Sequence, residues 1–252
     1  MNIFDLSGKT ALVIGGNGVL GSSMASALVQ HGAKVAIAGR DMAKADEVVQ
    51  SLAQHGEAKA YSVDVTKRED IAALLQAVTD WSPRIDILVN CAGRNSNKPF
   101  FEVTEEDWDS IMAVNAKSVF LTSQIIGKHM LDAGGGSIIN ISSVSSDPPL
   151  SGVFAYSASK AAVNNMTKFL AREFSPTVRV NAIIPGFFPA EQNRKILTKA
   201  RVDAILNHTP LGRLGEAEEL QGTLIWLASD QAASFVTGEL VRVDGGFGAI
   251  TI

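Results

Sequence analysis

The sequence predicts an α/β fold, a single doubly wound domain in which a parallel sheet is covered by helices on both faces. Short apolar runs alternate with longer amphipathic ones along the chain, the order expected of βαβ units with right-handed crossovers. The apolar runs are β-rich and continuous rather than alternating, as in strands buried on both faces. No Pro/Gly linker, repeat or composition break divides the 252 residues, so one domain over 1–252 is expected.

Seven runs read as strands. Residues 10–14 open the sheet and are followed by helical periodicity over 19–31. Strand 34–38 precedes helix 42–55, strand 58–63 precedes helix 67–81, and strand 85–90 precedes one long helical stretch at 104–131. Strand 136–141 leads to helix 156–174, and helix 216–228 to the last strand, 239–243. Strand 178–183 is followed instead by a long irregular segment beginning Pro185-Gly186-Phe187-Phe188-Pro189, with a helical pattern from about 191 to 207. An insertion of this length at the carboxyl end of a strand reads as a substrate lid over a crevice, at about 186–215.

Hydrophobic residues make up 46% of the chain and charged residues 19%, which excludes broad disorder. The net charge of -4 argues against nucleic-acid or anionic-membrane partners, which need a basic face. No apolar run approaches the ~20 residues of a membrane span. The N-terminus lacks the basic and apolar regions of a signal peptide, and the single cysteine, Cys91, rules out an intrachain disulfide. A cytoplasmic location is therefore expected. Cys91 ends an apolar strand and reads as a buried inert thiol; the four histidines are scattered, so no metal site is expected.

Gly15-Gly16-Asn17-Gly18-Val19-Leu20-Gly21 lies between the first strand and the first helix. Glycines there let the backbone approach a pyrophosphate held by the helix N-terminus. At the end of the second strand an acidic residue would bind a ribose 2′-hydroxyl, but the chain has Ala38-Gly39-Arg40. With no carboxylate to repel a 2′-phosphate and a guanidinium to pair with it, NADP(H) is favoured over NAD(H). Arg40 could also stack on adenine or be solvated. Asp64-Val65 closes the third strand, where Asp64 either contacts adenine or caps the next helix.

Tyr156 and Lys160 stand four apart in one helical run, on one face. An ammonium beside a phenol lowers its pKa, making it a usable acid–base group. Ser143, at the end of a strand, can hold a substrate carbonyl against it.

Taken together, these residues resemble the short-chain dehydrogenase/reductase family over nearly the whole chain. The matches are the turn at 15–21, Asp64-Val65, Asn90-Cys91-Ala92-Gly93, Asn115, Ile141-Ser142-Ser143, Tyr156-x-x-x-Lys160, Asn181, Pro185-Gly186 and Val243-Asp244-Gly245-Gly246. The resemblance implies a Rossmann arrangement of seven parallel strands, a homotetramer built through long helices and the C-terminal segment, and a catalytic tetrad of Asn115, Ser143, Tyr156 and Lys160. It implies cofactor contacts at Gly15, Asn17, Gly18, Val19, Leu20, Gly21, Arg40, Asp64, Val65, Asn90, Ala92, Gly93, Tyr156, Lys160, Pro185, Gly186 and the Phe188 backbone. In that scheme Asn115 positions a water linking Lys160 to solvent.

The chain departs from the family pattern twice. Val19 takes the place of the middle glycine, and Ala190 replaces a threonine that bonds the nicotinamide carboxamide, a contact that Gln192 could replace. A finer resemblance, through Gly16-x-Gly18-Val19-Leu20-Gly21 and 185–194, is to the mannonate oxidoreductase (fructuronate reductase) branch. Arg94, Asn95, Ser145, Phe187 and Gln192 are candidate contacts for a sugar acid or polyol, although the polar ones could equally be solvated. The expected activity is reversible reduction of a ketone by NADP(H) acting on a small-molecule substrate. The alternatives are a 3-oxoacyl-thioester reductase and, from another class, a non-catalytic NADP(H)-sensing regulator.

Overall fold

In the computed structural model, which describes residues 2–189 and 198–249, seven strands form one parallel sheet in the order β3-β2-β1-β4-β5-β6-β7. These are β1 (Thr10–Ile14), β2 (Lys34–Gly39), β3 (Ala58–Ser62), β4 (Ile87–Asn90), β5 (Gly136–Ile141), β6 (Val178–Pro185) and β7 (Leu240–Val243). Side chains within β1 divide between the two faces. Val13 packs with Met24 and Leu28 of α1 (Val19–Gln30), Leu52 of α2 (Met42–Leu52), and Leu224 and Leu227 of a C-terminal helix. Leu12 and Ile14 pack with Ile71 and Leu74 of α3 (Arg68–Trp81) and with Ile126 and Met130 further along the chain. Both faces of the central strands are therefore dry, which is why their sequences carry no polar alternation.

The stretch read as one helix over 104–131 is three pieces: α4 (Glu105–Met112), a π-helical turn at Ala113–Lys117, and α5 (Ser118–Asp132). Thr104 starts α4 with a capping box: its hydroxyl accepts from the Asp107 N–H at 3.1 Å, while Asp107 accepts from the Thr104 N–H. The π turn places Asn115 inside the protein with no exposed surface. Single-turn π insertions are often found at functional sites. The periodicity of apolar residues could not show this break, because the turn leaves the helix running in the same direction.

Among the described residues, the remaining α-helices are α6 (Phe154–Glu173), α7 (Lys199–His208) and α8 (Gln221–Ala228), the last preceded by a 3-10 turn at Ala217–Leu220. Within the expected lid, α7 begins after its Thr198 cap, and the part of the helical pattern expected from about 191 to 197 lies outside the described residues. Ala190 and Gln192 lie outside the described residues. No helix among the described residues is long and apolar enough to cross a membrane.

Candidate active site

The chain order reverses between β1 and β4, whose ends lie side by side at Ile14 and Asn90. The loops that follow them part there and open a crevice at the carboxyl edge of the sheet. A cavity of about 370 Å³ fills this crevice. Its floor is the glycine turn. Gly15 has φ +78°, its N–H donates to the Ala38 carbonyl at 2.7 Å, and a side chain there would meet Ala92 backbone at 2.7 Å. A Cβ on Gly21 would lie 2.2 Å from the Gly15 carbonyl oxygen. Gly18 is the N-cap of α1 and supplies no capping side chain, and the first turn of that helix holds no acidic residue. The first N–H groups of α1 therefore have no side-chain partner and face a bare backbone cradle, which is the chemistry a pyrophosphate needs.

Val19 stands in the cavity wall with Asn17, Leu20 and Gly21, so its replacement of a glycine does not close the crevice. Asn17 crosses to β2, where its Nδ2 donates to the Asp41 carbonyl at 3.0 Å. Its amide fills the space above Gly39, 2.6 Å from where a Cβ would be. Arg40 and Asp64 share the same end of the cavity. Asp64 accepts from the hydroxyl and N–H of Thr66 at 2.7 and 3.0 Å. These bonds, with Lys67 and Arg40 nearby, hold its carboxyl below the usual range. Its side chain turns on Thr66 rather than capping α3, whose N-cap is Lys67. Val65, Ala92, Gly93, Pro185, Gly186 and Phe188 complete the walls.

Asn90 is a correction. It is buried at the end of β4, its Nδ2 donates to Asn140 Oδ1 at 2.9 Å, and its Oδ1 accepts from Thr122 Oγ1 at 2.8 Å. Asn140 passes the chain to Thr167 at 3.0 Å. This network ties β4 and β5 to the helices behind them, and the Asn90 side chain does not line the cavity.

At the far end of the cavity, Ser143 follows β5 in extended conformation, and Tyr156 and Lys160 project from α6 one turn apart. The Tyr156 phenol is hydrogen-bonded to Ser143. Ser145, which is 1% exposed, brings its hydroxyl to 3.1 Å from Ser143 Oγ and donates its N–H to the same oxygen at 3.2 Å. Lys160 is 4% exposed, donates from Nζ to the Ile141 carbonyl at 2.7 Å, and lies 5.7 Å from the Tyr156 ring centroid.

The electrostatics differ from the sequence expectation. Burial pushes the Tyr156 phenol above its ordinary value, against the lowering effect of the Ser143 hydrogen bond. Burial also lowers Lys160 to about 8, opposed by the neighbouring Cys91. Lys160 is thus near the phenol, but the influences that set the phenol's shift are burial, the Ser143 hydrogen bond and Cys91, with burial the largest. Cys91, in the same wall, is pushed up to about 11 by burial and stays a neutral thiol at neutral pH.

Asn115 uses its whole side chain locally. Oδ1 accepts from the Arg94 N–H at 2.7 Å, and Nδ2 donates to the Arg94 carbonyl at 2.9 Å and to Ser159 Oγ at 2.9 Å. This pins the loop after β4 to α6. The Arg94 side chain is a second correction: it is exposed and borders none of the three cavities beside the sheet edge. Asn181, another matched residue, splints β6 to the start of β7, accepting from the Glu239 N–H and donating to the Val236 carbonyl, each at 3.0 Å.

A smaller cavity of about 80 Å³ adjoins the first across Ser143 and Tyr156. Ser145, Asn95 and Phe187 border it, together with Val144, Leu150, Val153 and Arg201, which the sequence did not single out. Gln192 lies outside the described residues.

The comparisons fit this geometry. A family model described as enoyl-(acyl carrier protein) reductase (adh_short_C2) matches residues 17–248. An uncharacterized oxidoreductase, UxuB, of Bacillus subtilis is 40% identical, with 96% of each chain covered. Gluconate 5-dehydrogenase of Gluconobacter oxydans is 35% identical over 97% of this chain and 96% of the relative. A gluconate 5-dehydrogenase from Burkholderia cenocepacia, solved with NADP and tartrate, superposes with a TM-score of 0.95 at 33% identity, covering 99% of both chains.

Proposed function

Because the chain belongs to the short-chain dehydrogenase/reductase family, we propose that this oxidoreductase interconverts a ketone and a secondary alcohol of a sugar acid or polyol, preferring NADP(H) to NAD(H). The observation that carries the reading is the position of Ser143 and Tyr156, which lie in the wall shared by the large crevice and the smaller polar cavity. A carbonyl in the smaller cavity would meet both hydroxyls where the two cavities adjoin.

The residues fit a dinucleotide: the glycine cradle and uncapped α1 suit a pyrophosphate, Arg40 a 2′-phosphate, and Lys160 the nicotinamide ribose. When bound, the cofactor supplies or accepts the hydride. The chain does the rest. Ser143 holds the substrate oxygen, and Tyr156 gives that oxygen its proton in reduction and removes it in oxidation. Burial keeps the phenol protonated at neutral pH, as a donor must be. Lys160 supplies positive charge beside it, and Asn115 fixes the loop that closes the wall behind them.

The NADP complex of the Burkholderia relative supports use of the phosphorylated cofactor, and Arg40 with no acidic residue at position 39 supports the preference. The gluconate 5-dehydrogenases support a sugar-acid substrate, and the mannonate oxidoreductase branch is supported by the sequence of the first turn and of 185–194 alone. Residues 186–215, carrying α7, are proposed as the substrate lid of a single domain. A homotetramer is supported by Phe120 on α5 and Phe169 on α6, which are 47% and 53% exposed. A cytoplasmic location is supported by the lone free thiol.

The test is NADPH consumption with three substrates side by side: 5-keto-D-gluconate, a neutral ketose and an acetoacetyl thioester. Catalytic efficiency should be greatest with the keto acid. Turnover of the thioester alone would replace the reading with the 3-oxoacyl-thioester reductase.

A further inference from the structure

Arg201 stands in the first turn of α7, where its N–H bonds the Thr198 cap at 3.3 Å. Its side chain reaches back to the loop before α6, and Nη2 donates to the Ser151 carbonyl at 2.7 Å. The approach is open because Gly152 has φ +75° and no side chain. A Cβ there would lie 3.5 Å from Nη1 and 2.3 Å from Asn97 Oδ1. The guanidinium therefore has a fixed anchor, borders the smaller cavity, and has no carboxylate partner among the described residues.

A second observation points into the same cavity. Asn95 Oδ1 is buried and accepts no hydrogen bond among the described residues, although Asn95 borders both cavities. A buried amide oxygen left alone is costly unless a ligand hydroxyl or water meets it. The rest of the lining, Val144, Leu150, Val153 and Phe187, is apolar and suits a carbon backbone. The cavity thus offers hydroxyls at the reacting end, an acceptor along one side and a cation at the other.

From this arrangement we infer that Arg201 binds the carboxylate of the substrate, with Asn95 Oδ1 accepting from one of its hydroxyls, so that these two residues select a polyhydroxy acid over a neutral sugar. A planar guanidinium anchored by one N–H retains further N–H groups for a carboxylate. The inference rests on the sugar-acid reading and adds the residues that would enforce it.

The experiment measures kcat and KM for 5-keto-D-gluconate and for a neutral ketose of the same length, with NADPH saturating, in wild type, Arg201→Ala and Arg201→Lys. NADPH affinity by fluorescence titration serves as the folding control. Charge-assisted bonds of this type are worth roughly 10- to 100-fold in binding. Arg201→Ala should lower the ratio of efficiencies, acid over ketose, by about that factor, chiefly through KM for the acid. Arg201→Lys should recover part of the ratio. A ratio unchanged in Arg201→Ala, with NADPH affinity intact, overturns the role of Arg201 and leaves the sugar-acid reading standing. Loss of NADPH affinity together with an equal loss on both substrates shows Arg201 to be structural and also overturns it. A wild type that does not turn over the acid overturns both.

Discussion

Tyr156 carries two opposed influences. Burial raises its phenol and the Ser143 hydrogen bond lowers it, so the group waits protonated beside the hydroxyl that would hold its partner oxygen. Tyr156→Phe keeps the ring and removes the hydroxyl, and with it both the proton and the Ser143 hydrogen bond. We expect turnover to fall by roughly 10²-fold or more, with NADPH affinity nearly unchanged, because the phenol acts in the transition state. Single-turnover kinetics and a binding titration check this, and a folded variant that keeps its rate would remove tyrosine from the mechanism. Arg40 is a matter of charge rather than proton transfer. Arg40→Ala should weaken NADPH by about 10-fold or more and NADH by much less, since only NADPH carries the phosphate. Equal losses in steady-state efficiency would make Arg40 a stacking or solvated residue. Introducing a carboxylate at Gly39 is the poorer probe, because Asn17 already fills that space.

At the scale of elements, the glycine turn is a backbone device. Its resemblance to a phosphate loop was legible from the glycines, but not which of them lacks all room. Gly21 is the tightest, because its Cβ would fall against the carbonyl of Gly15 and the Cα of Gly16, and neither can swing aside. Gly21→Ala should therefore displace the turn from α1 and weaken NADPH at least about 10-fold, whereas Gly18→Ala, with only one ordinary contact at 3.5 Å, should be milder. Titration of both variants decides it, and equal effects would show that flexibility rather than contact matters at this turn. The π turn at Ala113–Lys117 is the other decisive element. It went unread in the sequence because a single wide turn offsets the apolar pattern by only about one residue and leaves helical periodicity on either side.

Over the whole molecule, Lys160 links the site to stability. Its folded pKa is about 8 against an ordinary 10.5, so from about pH 8 upward the unfolded chain binds more protons at this group. Stability contributed by this residue therefore rises with pH in that window. Cys91 works the other way, since its folded value of about 11 exceeds its ordinary 9.0 and favours the unfolded chain above about pH 9. Between about pH 8 and 9, thermal stability of the wild type should gain relative to Lys160→Met. Calorimetry across that range checks it, and parallel profiles would mean that Lys160 is not desolvated as its position implies.

By itself the sequence determined the alternation of strands and helices, the glycine turn, and the Tyr156–Lys160 pair, because each depends on short-range spacing that a strand or helix converts directly into geometry. The tertiary structure decided what depends on partners distant along the chain. Asn90 was expected as a cofactor contact and Asn115 as a member of the tetrad, and only the fold shows Asn140, Thr122 and the Arg94 backbone bonding their side chains. Arg201 was not singled out in the sequence, and only the fold carries α7 back to Ser151. Spacing along a chain can place two groups on one helix face, but only packing shows which polar atoms are already satisfied and which are left for a ligand.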